Sequence, residues 1–292
     1  MDRQTEITTP GALLNEKGDL ARPGFSRALV QEYRRADVKV SPLRIKEWDY
    51  YLVNNGKFAL ALTVADNGYM GLDSVSLLDL EEGWEITKSP MSFLPLGKKH
   101  LPETSVTGDV HSAARGYGIH FIHEGEKRVL IAYMNKFGES ALSARVELTE
   151  CPEDSLVIAT PFDKPGHFYY NQKIVGFRAS GYVNYNGKTY TFEPSDSFAV
   201  LDWGRGVWTY ENTWYWSSAA YVLPSGTPFG WNLGYGFGDT SAASENMLFH
   251  AGTAHKLGGI KFEIPGEAEG KERFTEPWKF TSDDGRFEAD FV

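Results

Sequence analysis

Four Asn-Gly or Asp-Gly pairs, each lying between runs of β-branched, aromatic and alternating residues, restrict this chain to hairpins more firmly than any other feature. They are Asn55-Gly56, between Trp48–Val53 and Lys57–Val64; Asn67-Gly68, leading into Met70–Leu80; Asn186-Gly187, between Ser180–Tyr185 and Lys188–Phe192; and Asp284-Gly285, between Trp278–Thr281 and Arg286–Phe291. Both residues of such a turn are expected at positive φ, and the turn joins neighbouring antiparallel strands. Further strand-like runs are Gly118–His123, Arg128–Met134, Leu142–Leu148, Leu156–Thr160, Lys173–Phe177, Phe198–Trp203, Thr213–Leu223, Phe229–Phe237 and Ile260–Ile264. Helical periodicity is confined to Phe25–Arg34, enough for a short turn or two. The pattern predicts an all-β protein.

At 292 residues and 41% hydrophobic content the chain can bury a sizeable core, as one large or two medium domains. It holds no run of about eighteen apolar residues, and Met1-Asp2-Arg3-Gln4-Thr5-Glu6 lacks the layout of a secretory signal. The expectation is a cytoplasmic protein without a membrane span. Cys151 is the single cysteine, which excludes an internal disulfide and a thiolate metal cage. The formal charge of −10 comes from scattered acids, and no basic cluster provides the footprint that nucleic-acid binding needs.

The chain also carries the outline of a repeat. Trp48-Asp49-Tyr50-Tyr51 precedes a turn and Phe58-Ala59-Leu60-Ala61-Leu62; Trp214-Tyr215-Trp216 precedes Pro224-Ser225-Gly226 and Phe229-Gly230-Trp231-Asn232-Leu233. This divides the chain into an N-terminal extension (1–42), a first barrel-like unit (43–208) and a second (209–292). The second has no counterpart of the stretch from about Pro161 to Trp208, so it is expected to be incomplete at the C-terminus, with an exposed edge strand. The competing reading is that β-meanders resemble one another at this level.

Three segments concentrate unusual chemistry. In Leu201-Asp202-Trp203-Gly204-Arg205-Gly206-Val207-Trp208, two-residue alternation places Asp202 and Trp208 on one face and Trp203 and Arg205 on the other. Asp202 and Arg205 are the catalytic candidates, as a general acid/base carboxylate and a guanidinium that polarises an oxygen. The structural alternative is an Arg205 stacked on an indole and held by Asp202. In Phe229–Asp239 one face carries large aromatics and the other four glycines and Asn232, a bare face that either makes room for a ligand or receives a packed neighbour. In Trp214–Tyr221, Trp214, Trp216, Ser218 and Ala220 share a face, suited either to core packing or to stacking on a ligand. Asp239, Glu245, Asn246, His250 and His255 add polar groups downstream. His120 and His123 point to opposite strand faces and make no metal site. No hydrolase elbow, metalloprotease helix or phosphate loop is present.

The segment Leu201–Trp208, Trp214-Tyr215-Trp216, Lys46-Glu47-Trp48-Asp49-Tyr50-Tyr51 and above all Asn232–Asn246 resemble a bacterial family known as domain of unknown function 2804. The resemblance spans nearly the whole chain, and family members usually continue past this C-terminus through another strand pair. A more distant likeness is to tandem lipocalin-like proteins of the carotenoid hydratase and pericyclase type, whose barrels hold hydrophobic small molecules. Gly206-Val207-Trp208 is similar to the lipocalin Gly-x-Trp signature, but lies at the end of the first unit rather than near its start. The likeness implies two tandem antiparallel lipocalin-like barrels or strongly curved sheets. The leading functional expectation is a cofactor-free and metal-free protein that binds a hydrophobic small molecule such as a lipid or isoprenoid and, if it is an enzyme, hydrates, isomerises or cyclises it. Its site would lie at the junction of the units, lined by Trp203, Trp208, Trp214, Trp216, Asn232 and Tyr235, with Asp239 and Glu245 nearby. The alternatives are a carbohydrate-active protein using Asp202 and Asp239 as paired carboxylates, and an interaction module with filled barrels.

Overall fold

The computed structural model describes residues 4–291. The strands run in order as β1 (Gly11–Ala12), β2 (Gly24–Ser26), β3 (Gln31–Glu32), β4 (Lys46–Asn54), β5 (Phe58–Asp66), β6 (Met70–Asp79), β7 (Trp84–Lys88) and β8 (Met91–Phe93). They continue as β9 (Val110–Ala114), β10 (Tyr117–Glu124), β11 (Lys127–Phe137), β12 (Ser140–Thr149), β13 (Leu156–Pro161), β14 (Phe168–Tyr185), β15 (Lys188–Phe192) and β16 (Phe198–Val207). The last third adds β17 (Tyr215–Val222), β18 (Pro228–Tyr235), β19 (Met247–His250), β20 (Thr253–Lys256), β21 (Ile260–Glu263), β22 (Trp278–Ser282) and β23 (Glu288–Phe291). Among the described residues helix is limited to three single 3-10 turns, and no helix is long and apolar enough to cross a membrane. The chain is all-β.

All four predicted turns join antiparallel neighbours, but only one has the expected backbone. Asn186 and Gly187 are both at positive φ (49° and 75°). At Asn55-Gly56 and Asp284-Gly285 only the glycine is, because the polar side chain stabilises the turn instead: Asn55 Oδ1 accepts the Lys57 and Phe58 amides, and Asp284 Oδ1 the Arg286 amide. Phe25–Arg34 is extended rather than helical, since Phe25 is paired opposite Ile158 on β13. The runs Lys173–Phe177 and Ser180–Tyr185 are parts of one 18-residue strand, β14. Its first half lies between β13 and β16 and its second between β12 and β15, with a register shift at Val175/Phe177 where Gly176 sits at φ 107°.

Fourteen strands form one sheet, ordered β7-β6-β5-β4-β16-β14-β12-β11-β10-β9, with β2, β8, β13 and β15 attached beside it. One face of every strand on this path feeds a common apolar core, and the sheet curls around it. Tyr51 on β4 meets Phe121 on β10 at 4.7 Å between ring centres, although β16, β14, β12 and β11 lie between their strands in sheet order. The concave side is filled by side chains rather than by a ligand space. Trp203 and Arg205 are fully buried there. Arg205 donates to the carbonyls of Trp48, Gly204 and Pro102 and to Asp49 Oδ1 at 2.7–2.9 Å, with its guanidinium 4.2 Å from the Trp203 ring centre. The stacked arginine is therefore held by Asp49 and not by Asp202, which lies on the opposite face of β16. Burial raises the pKa of Asp49, and Arg205 opposes the shift.

Residues 4–42 are woven into the rest rather than set apart. β2 pairs with β13, Leu13, Leu14 and Tyr33 enter the core, and the Thr5 amide donates to the Ala242 carbonyl. The last third forms two small sheets, β17-β18-β19-β20 and β21-β22-β23. The bare glycine face of β18 is covered: Val175 of β14 lies against Gly230, and the Glu245 carboxyl against Gly234. Its bulky face joins Tyr215 and Tyr235 to Phe262 and Phe280 of the last sheet. The β17–β20 sheet is thus sandwiched between the convex side of the large sheet and the three-stranded one.

Gly204, on the convex face of β16, leaves the space occupied by the Trp48 indole, which a Cβ there would overlap. Gly204→Ala should lower stability by about 1–3 kcal/mol, the usual cost of overfilling a packed site. Urea unfolding measures it, and an unchanged midpoint would show that Trp48 does not lie across Gly204.

Candidate functional site

Where the convex face of β4, β5 and β6 meets β17 and the segment after β16, a cleft of about 700 Å3 opens. Its walls are aromatic: Trp48 and Tyr50 from β4, Tyr169 from β14, Trp208 and Tyr210 after β16, Trp214 and Trp216 at β17, and Phe237 after β18. Thr63, Ala65, Asn67 and Leu72 complete one side, and Asp202 supplies the carboxylate. The two Trp-led strands singled out as a repeat face each other here. Tyr50 meets Trp216 edge-on at 6.1 Å, Trp208 meets Trp48 at 5.3 Å, and Trp214 and Trp216 stack at 6.2 Å.

Asp202 is cross-strand partner of Lys173, and both are buried between the large sheet and the second one. Lys173 Nζ lies 2.6 Å from Asp202 Oδ2 and 4.8 Å from the Trp216 ring centre. Asp202 Oδ1 accepts from Asn171 Nδ2 at 2.6 Å and from Trp48 Nε1 at 3.3 Å. Every polar neighbour of this carboxylate is a donor, so it is built to accept. Of the general acid/base role expected from sequence, the convergence of donors suits the accepting half, as a base or as a hydrogen-bond acceptor for a ligand.

A second carboxyl, Glu245, lies behind the aromatic wall. It is 3% exposed, and its Oε1 accepts the Trp214 indole N–H at 3.0 Å. Burial pushes its pKa up to about 7, with Lys173 opposing and Asp202 reinforcing. Asn232, also buried, accepts the Trp216 indole N–H at 2.7 Å and donates to the Glu245 carbonyl. Both are supports of the indoles rather than lining residues. Burial and the charge of Asp202 push the Tyr50 phenol up to about 12, so it stays protonated and can donate.

Of the ten residues expected at the site, Asp202, Trp208, Trp214 and Trp216 line the cleft. Asn232 and Glu245 stand one layer behind. Trp203 and Arg205 occupy the concave core, Tyr235 packs against Phe262 on the far side of β18, and Asp239 is exposed at a turn where it accepts the Ser241 amide. Asp239 sits at the Pro161 end of β13, opposite Phe168 on β14, whereas Asp202 lies opposite Lys173, five residues further along that strand. Lys173, Asn171, Trp48, Tyr50 and Tyr169 were missed. Alternation along Trp48-Asp49-Tyr50 puts both rings on one face, but which face required the β4–β16 register. Among the described residues no three His, Cys, Asp or Glu side chains converge on a metal position. His120 instead faces His111, Nδ1 to Nδ1 at 3.0 Å, and His123 contacts the Ser105 carbonyl.

Removing one member of a buried pair leaves the other charge uncompensated, so Asp202→Asn or Lys173→Met alone should each cost about 3–5 kcal/mol. The double variant should cost clearly less than the sum, which a double-mutant cycle in urea reads; strict additivity would refute the pairing. Glu245 gives a pH signature. Its folded pKa exceeds the ordinary carboxylic value, so the native state binds the extra proton and stability falls as pH rises toward 7 and beyond. Between pH 5 and 7 the native protein should lose about 2 kcal/mol that Glu245→Gln does not. Lys256, lowered to about 7 by burial, begins to lose its proton in the native state only near the top of that window, and it does so in both proteins. Parallel stability curves for the two proteins would show that Glu245 is not buried as a neutral acid.

Among solved structures the chain is similar to an AttH-like protein of Nitrosomonas europaea (13% identity, 89% of this chain and 94% of that one, TM-score 0.49). It is similar also to kievitone hydratase of Nectria haematococca (11% identity, 82% and 72%, TM-score 0.44) and to CghA bound to Sch210972 (10% identity, 95% and 84%, TM-score 0.42). No curated protein matches it. The family match is direct and covers residues 4–292, all of the described chain: this protein belongs to the domain of unknown function family DUF2804.

Proposed function

We propose that the cleft binds an apolar small molecule of the lipid or isoprenoid class, with Asp202 as its charged handle. One observation carries this reading: the indoles of Trp48, Trp214 and Trp216 all turn their N–H groups into buried acceptors, Asp202, Glu245 and Asn232. That arrangement leaves apolar ring faces toward the cleft, where they offer area and stacking rather than hydrogen bonds. A volume of about 700 Å3 is in the range of small-molecule sites, which an interaction module with filled sheets does not call for. Conversion of such a ligand is cofactor-free acid–base chemistry in this reading: Asp202 accepts a proton from the ligand and the Tyr50 phenol donates a hydrogen bond to it.

Titration with farnesol should quench tryptophan fluorescence saturably. Trp216→Ala should weaken binding on the order of tenfold, the loss expected for one stacked indole. A flat response to farnesol together with saturable quenching by a linear oligosaccharide would overturn the apolar reading in favour of sugars.

A further inference from the structure

The aromatic cleft does not end at Leu72. Strand β8 pairs with the start of β6, Met91 opposite Leu72 and Phe93 opposite Met70. Directly opposed residues project from the same side of a sheet, so Met91 and Phe93 extend the cleft's own face outward. They are 66% and 88% exposed, and Leu94, Leu96 and Tyr69 beside them are 52%, 38% and 51% exposed. Apolar side chains so displayed in one short segment mark a contact surface.

The display is built rather than loose. Leu94 and Leu96 are both at positive φ (51° and 53°), a conformation that branched L-residues rarely adopt and that persists only where the surroundings impose it. Here the Leu94 and Leu96 amides donate to the carbonyls of Tyr69 and Gly68, the Gly97 amide to Asp66 Oδ2, and Lys99 reaches under the loop to Asp73 at 2.7 Å. The backbone is satisfied while the side chains are held outward.

Charge selects the partner. In a chain of net charge −10, residues 86–102 contain no Asp or Glu but carry Lys88, Lys98, Lys99 and His100. Lys88, Lys98 and His100 are exposed. The acids that flank this stretch are Glu85, in the hairpin at the other end of β6, and Glu103, whose carboxylate accepts the Arg35 amide. An apolar segment that carries exposed Lys88, Lys98 and His100 and no acid of its own matches an anionic phospholipid surface, where the rings and methyl groups enter the acyl boundary and the ammonium groups meet phosphate.

We propose that Met91, Phe93, Leu94 and Leu96, with Lys98, dock this protein on anionic phospholipid bilayers, with the cleft opening beside the membrane. This goes beyond ligand binding in the cleft and is tested apart from it. The full chain is floated with vesicles of phosphatidylcholine alone or mixed with phosphatidylglycerol, neither containing farnesol. Flotation with the mixed vesicles is expected, with a loss on the order of tenfold for Phe93→Ser and for Lys98→Glu, while both variants keep the native unfolding midpoint. Phe93→Ser should also keep the farnesol titration, so that failure of docking and failure of the cleft reading are seen separately. Absence of flotation, or flotation indifferent to both substitutions, overturns the proposal. So does a concentration-dependent dimer that Phe93→Ser dissolves, since the surface then receives a second copy of this chain.

Discussion

Everything in this structure is organised by one strand that is covered on both sides. All ten residues of β16 are buried, so its two faces must each be matched to a different interior. Leu201, Trp203, Arg205 and Val207 enter the curled sheet's core, whereas Asp202 and Gly204 meet the second unit and the cleft. A polar group on such a strand has little contact with water and must be answered across the ladder. Arg205 is answered by Asp49 and three carbonyls on one side, and Asp202 by Lys173, Asn171 and Trp48 on the other. The two charge centres sit back to back on one backbone, separated by the sheet itself, which is why they do not form one catalytic pair.

The convex face explains why the cleft is where it is. A curled sheet whose concave side is packed solid has no room for a ligand within it, and space arises where a second layer covers the convex side incompletely. β14 and β16 are covered by the β17–β20 sheet through Val175, Val200, Phe249 and their neighbours, while β4, β5 and β6 run on beyond its edge. Aromatic side chains span the resulting step. Their packing requires small residues: Gly204 lies under the Trp48 indole, and Gly234, opposite Trp216, admits the Glu245 carboxyl that holds Trp214. Gly204 is thus the complement of the Trp48 indole, and the buried acceptors Glu245 and Asn232 hold the indoles of Trp214 and Trp216.

The all-β class and the hairpins were legible because Asn-Gly and Asp-Gly turns act locally, and the strands flanking Asn55-Gly56 and Asn186-Gly187 needed no tertiary information. The face assignments within Leu201–Trp208 followed from alternation alone. What alternation cannot say is which face looks where. Trp203 and Arg205 looked like site residues because they are chemically rich, and only the register with β4 and β14 shows that they point into the core. Lys173 was invisible for the opposite reason: a single lysine in Asn171-Gln172-Lys173-Ile174-Val175 reads as a solvated residue unless its cross-strand partner is known to be Asp202. The continuity of β14 was hidden because the apolar pattern breaks at Arg178-Ala179 between two glycine-bearing runs, whereas Gly176 and Gly181 let one strand bend and change partners.

The same alternation that divides the two charge centres also joins distant apolar residues into one surface. Trp48, Ala65, Leu72 and Met91 are successive opposed partners across β4, β5, β6 and β8, so they line up as a single row on the convex face. The row begins at the Asp202 carboxylate, under the indoles, and ends at side chains in full contact with solvent. Such a row presents apolar surface along its length, and from Trp48 to Leu72 it runs over strands paired on both sides, so a flexible hydrophobic molecule in contact with it meets no unpaired backbone there. A barrel closed at its rim would bury the same residues more completely but would give its ligand no such route. The open step between the two layers is therefore the feature that makes an apolar ligand and a surface-held source of it compatible with one rigid sheet.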